Sequence, residues 1–267
     1  MRSMKNYKNR FPFIIGTPSY ILPIEEDNLI ANVMFLKDSF DMVQLLYFGR
    51  DHLDEVMSPR IVNELDAIRR GSGISYTVHL PVDLDLLNPS MESVRGSIGV
   101  VDRILSRTER LAVEGYILHV DAMGTERPDA APAGGTVRLF QDALTGIAER
   151  FGDAAKNIFI ENTGYDLADY KSIIADTPFG VCMDIGHLIR QERDIQVFLD
   201  AFGARIAQAH VHGVSEGRDH RSLAEMEPAV LQHVIRIVQG LGVPVVVEVY
   251  NYDDLSSSMD RMESFIE

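Results

Sequence analysis

Eight short segments rich in β-branched, aromatic and other apolar residues alternate with eight longer segments of helical apolar spacing from one end of this 267-residue chain to the other. The strand-like segments fall at residues 11–17, 41–48, 74–80, 115–120, 157–162, 180–184, 206–212 and 244–250. Most are near-continuous apolar runs, as expected for parallel strands covered on both faces. The helical segments lie at 29–36, 61–68, 100–112, 137–151, 167–174, 195–202, 230–238 and 255–265, with Gly and Pro at the joins. Eight such units predict a single closed (β/α)8 TIM barrel over residues 11–267, a size one domain can reach. An open doubly wound sheet would usually carry a glycine-rich phosphate turn after its first strand, and GTPSYILP is not one.

The first ten residues are basic and read as a flexible tail. Gly16, Thr17 and Pro18 interrupt the apolar stretch behind it too early for a signal peptide. No apolar run approaches the roughly 20 residues of a membrane span, so a cytoplasmic protein without a membrane partner is expected. Residues 123–135, containing ERPDAAPAGG, read as an active-site loop or lid.

Polar residues at strand ends carry the functional information, because in such a barrel those ends converge on one mouth. Six of the 8 histidines fall at or just beyond a strand end: His79, His119, His187, His210, His212 and His220. Glu161, Asp184, Asp219 and Glu248 occupy matching positions. One strand-end histidine alone would need only a hydrogen-bond partner. Several carboxylates in one cavity repel one another and are costly to desolvate unless a cation neutralises them. Imidazole with carboxylate suits zinc, manganese or iron, whereas calcium and magnesium prefer oxygen shells. The single cysteine, Cys182, allows neither a disulfide framework nor a thiolate cage.

Asp184 and His187 sit three apart across a tight turn at Gly186, and His210 and His212 share one face of the seventh strand. His210, deeper in the strand, is the expected ligand; His212 would touch substrate or a carboxylate behind the ligands. Asp219 and His220 lie between Arg218 and Arg221, either as a solvated charged loop or as a ligand pair beside a phosphate clamp. No lysine stands at a strand end for Schiff-base chemistry, and a metal-free glycosidase pair would leave the histidines unexplained. With Lys+Arg 25 against Asp+Glu 40, the net charge of -15 repels nucleic acid and favours a small-molecule substrate.

IENTG around Glu161, CMDIGH around Asp184 and His187, the seventh-strand His210 and the eighth-strand Glu248 resemble the xylose isomerase-like barrel superfamily, also called AP endonuclease family 2. The resemblance implies one of two site patterns. Sugar and sugar-phosphate isomerases and epimerases use one metal, held by residues like Glu161, Asp184, His210 and Glu248, with the glutamates as acid and base. Endonuclease IV-like members add histidines on the third and fourth strands and hold two or three zinc ions. His79 and His119 fit that second pattern, with a first ion on His79, His119 and Glu161 and a second on Glu161, Asp184, His210 and Glu248. His187, Asp219 and His220 would hold a third. In the pattern one residue separates the late Asp and His; here they adjoin, which sets the third ion apart.

SYILP, DMVQLLYF, YTVHLPVDLDL and HVHGVSEGRDHRSL are similar to the cobamide-remodelling phosphodiesterases. That similarity implies a zinc-type divalent-metal hydrolase acting on a corrinoid phosphodiester. Glu161 would bridge the ions, His212 and Asp121 would carry protons, and Arg218, Arg221 and His220 would contact the phosphate. The alternatives are a sugar-phosphate isomerase or epimerase, and a barrel that only binds a corrinoid or metal.

Overall fold

The structure, a computed structural model, describes residues 3–23, 28–47, 49–50, 53–121 and 134–266. Its strands are β1 (Ile15–Pro18), β2 (Met42–Leu46), β3 (Ser75–His79), β4 (Tyr116–Leu118), β5 (Ile158–Glu161), β6 (Gly180–Asp184), β7 (Ile206–Val211), β8 (Gly213–Ser215), β9 (Arg218–Arg221) and β10 (Val245–Val247). The helices are α1 (Leu29–Leu36), α2 (Leu53–Val56), α3 (Pro59–Ser72), α4 (Met91–Thr108), α5 (Gly134–Phe151), α6 (Lys171–Ala175), α7 (Ile185–Arg190), α8 (Ile195–Phe202), α9 (Pro228–Leu241) and α10 (Tyr252–Glu263). Strands β1 to β7 pair in sequence, and β10 closes the ring between β7 and β1. Every pairing in the ring is parallel. The expected TIM barrel is therefore the fold.

Strand burial follows from this closure. Apart from isolated positions near their starts, the barrel strands are buried throughout, covered outside by helices and filled inside by side chains. One large apolar cluster joins strands to helices, and a small one of Ile117, Phe159 and Cys182 plugs the interior. The Phe159 ring lies so close to Gly115 and Gly180 that an added Cβ would meet it at 2.1 Å and 2.7 Å. Aromatic bulk there blocks the interior, so polar groups gather at the carboxyl-terminal mouth.

Several boundaries depart from expectation. The segment 167–174 splits into a 3-10 turn, Leu167–Tyr170, and the short α6. Helix α4 begins nine residues before position 100, because its first turns carry Glu92 and Arg95 among few apolar residues and lack a clear period. The β8–β9 ribbon, antiparallel and outside the barrel, replaces the loop expected around GRDHR.

The amino-terminal tail also needs correction. Tyr7 is buried beside Phe11 and Phe40, its N–H donates to the Ser39 carbonyl at 2.8 Å, and its hydroxyl donates to Asp260 at 3.1 Å. Lys5 and Arg10 pair with Glu263 on α10. An aromatic ring and four polar ties thus fasten residues that charge alone marks as free. The proposed lid at 123–135 lies outside the described residues up to position 133. Among the described residues no helix is long and apolar enough to cross a membrane.

Candidate metal centre

Each candidate ligand sits where its strand gives out. His79, Glu161 and Asp184 are the last residues of β3, β5 and β6; His119, His212 and Glu248 follow β4, β7 and β10 directly; His210 is the penultimate residue of β7. Pairing register sets Asp184 opposite His210 across β6 and β7, and Glu161 opposite Cys182 across β5 and β6. Residues up to 169 positions apart therefore meet at one rim, with His79, Glu161, Asp184, His210 and Glu248 all buried.

Glu161 is the hub. Its Oε2 lies 3.0 Å from His119 Nε2 and 3.4 Å from His79 Nε2, while Oε1 lies 3.0 Å from His210 Nδ1. His210 Nδ1 is also 3.0 Å from Glu248 Oε2 and 3.9 Å from Asp184 Oδ2. Potential ligand atoms converge in the sets His79, His119, Glu161 and Glu161, Asp184, His210, Glu248, each set within 4.8 Å of itself. A third set is His187, His212 and His220, and a fourth replaces the acids with Cys182 beside Glu161 and His210. The Cys182 thiol is a poor ligand as it stands, since burial pushes it up to about 12.

The third set differs from the sequence reading. Asp219 stays 3.9 Å from His187 Nε2 but gives its oxygen to Arg190, and His212 takes the place beside His187 and His220. The adjacency of Asp219 and His220 explains this: neighbouring residues of β9 do not present both side chains in the same direction. His187 does not follow a loop turn either. Asp184 is the N-cap of α7, accepting the His187 N–H at 2.7 Å, so His187 occupies the first turn of a helix.

The residues fit a cation on three counts. Asp184 Oδ2 is buried with no hydrogen-bond partner, an expensive arrangement unless something positive meets it. The rings of His79, His187 and His220 donate Nδ1–H to the carbonyls of Leu80, Asn162 and Glu248 at 2.8, 3.0 and 3.1 Å, freeing each Nε2 lone pair for a ligand. Finally, the charge balance needs positive charge. Burial alone would raise Glu161, but His210 and His119 hold it well below the usual carboxylate range. Burial likewise opposes charge on His119, yet Glu161 outweighs it and lifts the ring to about 9. Protons on imidazole thus do what a divalent ion would do better.

Behind the ligands stand residues that the strand-end criterion misses. Gln44 Oε1, from inside β2, is 3.0 Å from His210 Nε2 and accepts from Gln208 Nε2 at 2.7 Å. Asn162 clasps the Asp184 backbone with two side-chain hydrogen bonds of 2.8 Å. A polar residue within an apolar strand was the available signal for both glutamines. Asp121 accepts from Thr163 at 2.8 Å and sits 3.8 Å from His119 Nδ1, close to the first set. Of the residues in the phosphate-clamp reading, Arg218 pairs with Glu216 at 3.1 Å and Arg221 with Glu225 at 3.0 Å, both as solvent-facing ion pairs. His220, the third residue of that reading, turns its ring to His212 and Tyr250.

A closed parallel barrel with buried imidazoles and carboxylates at its strand ends defines a candidate metal-dependent enzyme. The chain belongs to the xylose isomerase-like TIM barrel family, whose model matches residues 36–265. Over 122 residues it is 29% identical to the "Probable endonuclease 4" of Carboxydothermus hydrogenoformans, a stretch covering 42% of this chain and 41% of that protein. The match thus spans well under half the length of that relative. Among solved structures, a D-tagatose 3-epimerase-like protein superposes with a TM-score of 0.75 at 18% identity, covering 95% of this chain and 97% of that one. D-psicose 3-epimerase from Clostridium cellulolyticum gives 0.71 at 14% identity, with 95% and 96% covered. Endonuclease IV from Thermus thermophilus gives 0.67 at 18% identity, with 94% and 97% covered. At these identities the likeness is one of fold.

Proposed function

We propose that the protein is a divalent-metal-dependent phosphodiester hydrolase acting on a small or medium-sized metabolite, with an adenosylcobamide as the substrate its sequence resemblance points to. One observation carries the reading: Glu161 divides its two oxygens between the His79–His119 pair and His210. A carboxylate placed in this way suits two ions, and a one-metal isomerase has no use for the first pair of histidines. His79, His119 and Glu161 would hold one ion and Glu161, Asp184, His210 and Glu248 the other, with zinc the ion that best matches the donors. When bound, paired cations lower the pKa of water and neutralise charge on a phosphate and its departing oxygen.

The chain's own residues supply the rest. The blocked barrel interior confines substrate to the mouth, and Asp121, oriented by Thr163, can accept or return a proton beside His119. The net charge of -15 argues for a metabolite over a nucleic-acid backbone, despite the endonuclease relative.

The test is incubation of the zinc-loaded protein with adenosylcobalamin. Release of a phosphate-bearing cobinamide, abolished in Glu161→Gln, is expected; an intact substrate under all metal loadings contradicts the assignment. A sugar or sugar-phosphate isomerase or epimerase is the second reading, favoured by the set Glu161, Asp184, His210 and Glu248, which is complete for one ion. Interconversion of ketose epimers that survives His79→Ala would establish it instead.

A further inference from the structure

His187, His212 and His220 crowd together at the mouth, yet their rings are wired in opposite senses. The first and last donate Nδ1–H to backbone carbonyls and keep a lone pair on Nε2. His212 Nδ1 instead lies 3.0 Å from the backbone nitrogen of His220, and a backbone N–H can only donate. The Gly213 carbonyl, the other neighbour of Nδ1, is farther, at 3.3 Å. A ring that accepts at Nδ1 carries its proton on Nε2, and a nitrogen bearing a proton has no lone pair for a metal.

That Nε2 stands 3.1 Å from Asp184 Oδ1, an ion-pair contact that does not reach hydrogen-bond geometry, and it has no other hydrogen-bond partner among the described residues. Oδ1 also takes the His187 N–H, so Oδ2 is the oxygen left bare. The ring has little freedom to turn. It is buried, and it rests so closely on Gly186 that an added Cβ would come within 2.1 Å of Cε1. On its other side, His220 holds a φ of 50°, a left-handed conformation uncommon without glycine, fastened by its N–H to His212 and by its ring to the Glu248 carbonyl.

We infer that His212 is a positioning residue and not a metal ligand: its Nε2–H attracts Asp184 Oδ1 across 3.1 Å, so that Asp184 meets a cation through Oδ2, while Nδ1 anchors the β8–β9 ribbon at His220. This role presupposes the two-centre reading proposed above; the identity of the substrate does not enter. It also leaves His187 and His220, with Asp219 nearby, as the remaining donors of the outer set.

The experiment pairs zinc competition against a chromogenic chelator with histidine 1H–15N correlation spectra. Spectra of the zinc-loaded wild type should show His212 as the Nε2–H tautomer, and this decides the matter even where a variant fails to fold. His212→Ala should weaken zinc binding about 10- to 100-fold at unchanged stoichiometry. His212→Gln, whose amide can donate in place of Nε2–H, should recover most of that loss, and Gly186→Ala, which displaces the ring, should resemble His212→Ala. An Nδ1–H ring, unchanged affinity in His212→Ala, or loss of one zinc per chain in both His212 variants would overturn the inference. A wild type that takes up no zinc would overturn it together with the two-centre reading, whereas normal zinc uptake without phosphodiester cleavage overturns only the proposed function.

Discussion

Asp184 Oδ1 accepts the backbone N–H of His187 at 2.7 Å, so one carboxylate both starts helix α7 and faces the ligand cluster with its second oxygen. These two duties separate by substitution. Asn caps a helix as well as Asp does, whereas Ala costs about 1 kcal/mol. In metal-free protein, Asp184→Ala should therefore unfold at lower urea concentration than Asp184→Asn. Both should lose the part of the zinc stabilisation that the Glu161, Asp184, His210 and Glu248 set gives the wild type. Equal zinc stabilisation in Asp184→Asn would remove this oxygen from the metal centre.

Proton release should accompany metal binding. Although burial disfavours charge on His119, Glu161 raises its ring to about 9 in the metal-free protein. At pH 8 that ring is therefore mostly protonated, and a metal can bind it only by displacing the proton. Zinc affinity should rise with pH as this proton is lost. Calorimetric titrations at pH 8 in buffers of different ionisation enthalpy would reveal the released proton; an enthalpy independent of buffer would contradict it.

The amino-terminal segment should matter to stability. Tyr7 is 1% exposed and tied to Ser39 and Asp260, so Tyr7→Ala should destabilise the barrel by roughly 3 kcal/mol, read from urea denaturation. A change within about 0.5 kcal/mol, typical of a surface site, would restore the free-tail reading.

The barrel and the inner cluster of candidate ligands were legible for the same reason. A parallel strand buried on both faces is almost wholly apolar, so a His, Glu or Asp at its end stands out, and a closed ring brings such ends together. What escaped depends on contacts between distant residues. Gln44 and Gln208 are 164 positions apart and make sense only inside a closed barrel. The ribbon turns at Glu216 and Gly217, both with positive φ, within a charged stretch that has no period-two pattern. The pairing of Arg218 with Glu216 and of Arg221 with Glu225 likewise emerges only once the ribbon and the turn after it are formed. His212 is the subtlest case: its place beyond His210 points to substrate or to a carboxylate behind the ligands, and the direction of one backbone N–H together with its nearness to Asp184 favours the carboxylate.

Counting zinc by elemental analysis, in the wild type, His79→Ala and Glu161→Gln, addresses the bridging of two sites by Glu161 most directly. At least two ions per wild-type chain are expected, with one lost in His79→Ala and weakened retention of both in Glu161→Gln. A single ion per chain, retained in full by His79→Ala, would contradict the account.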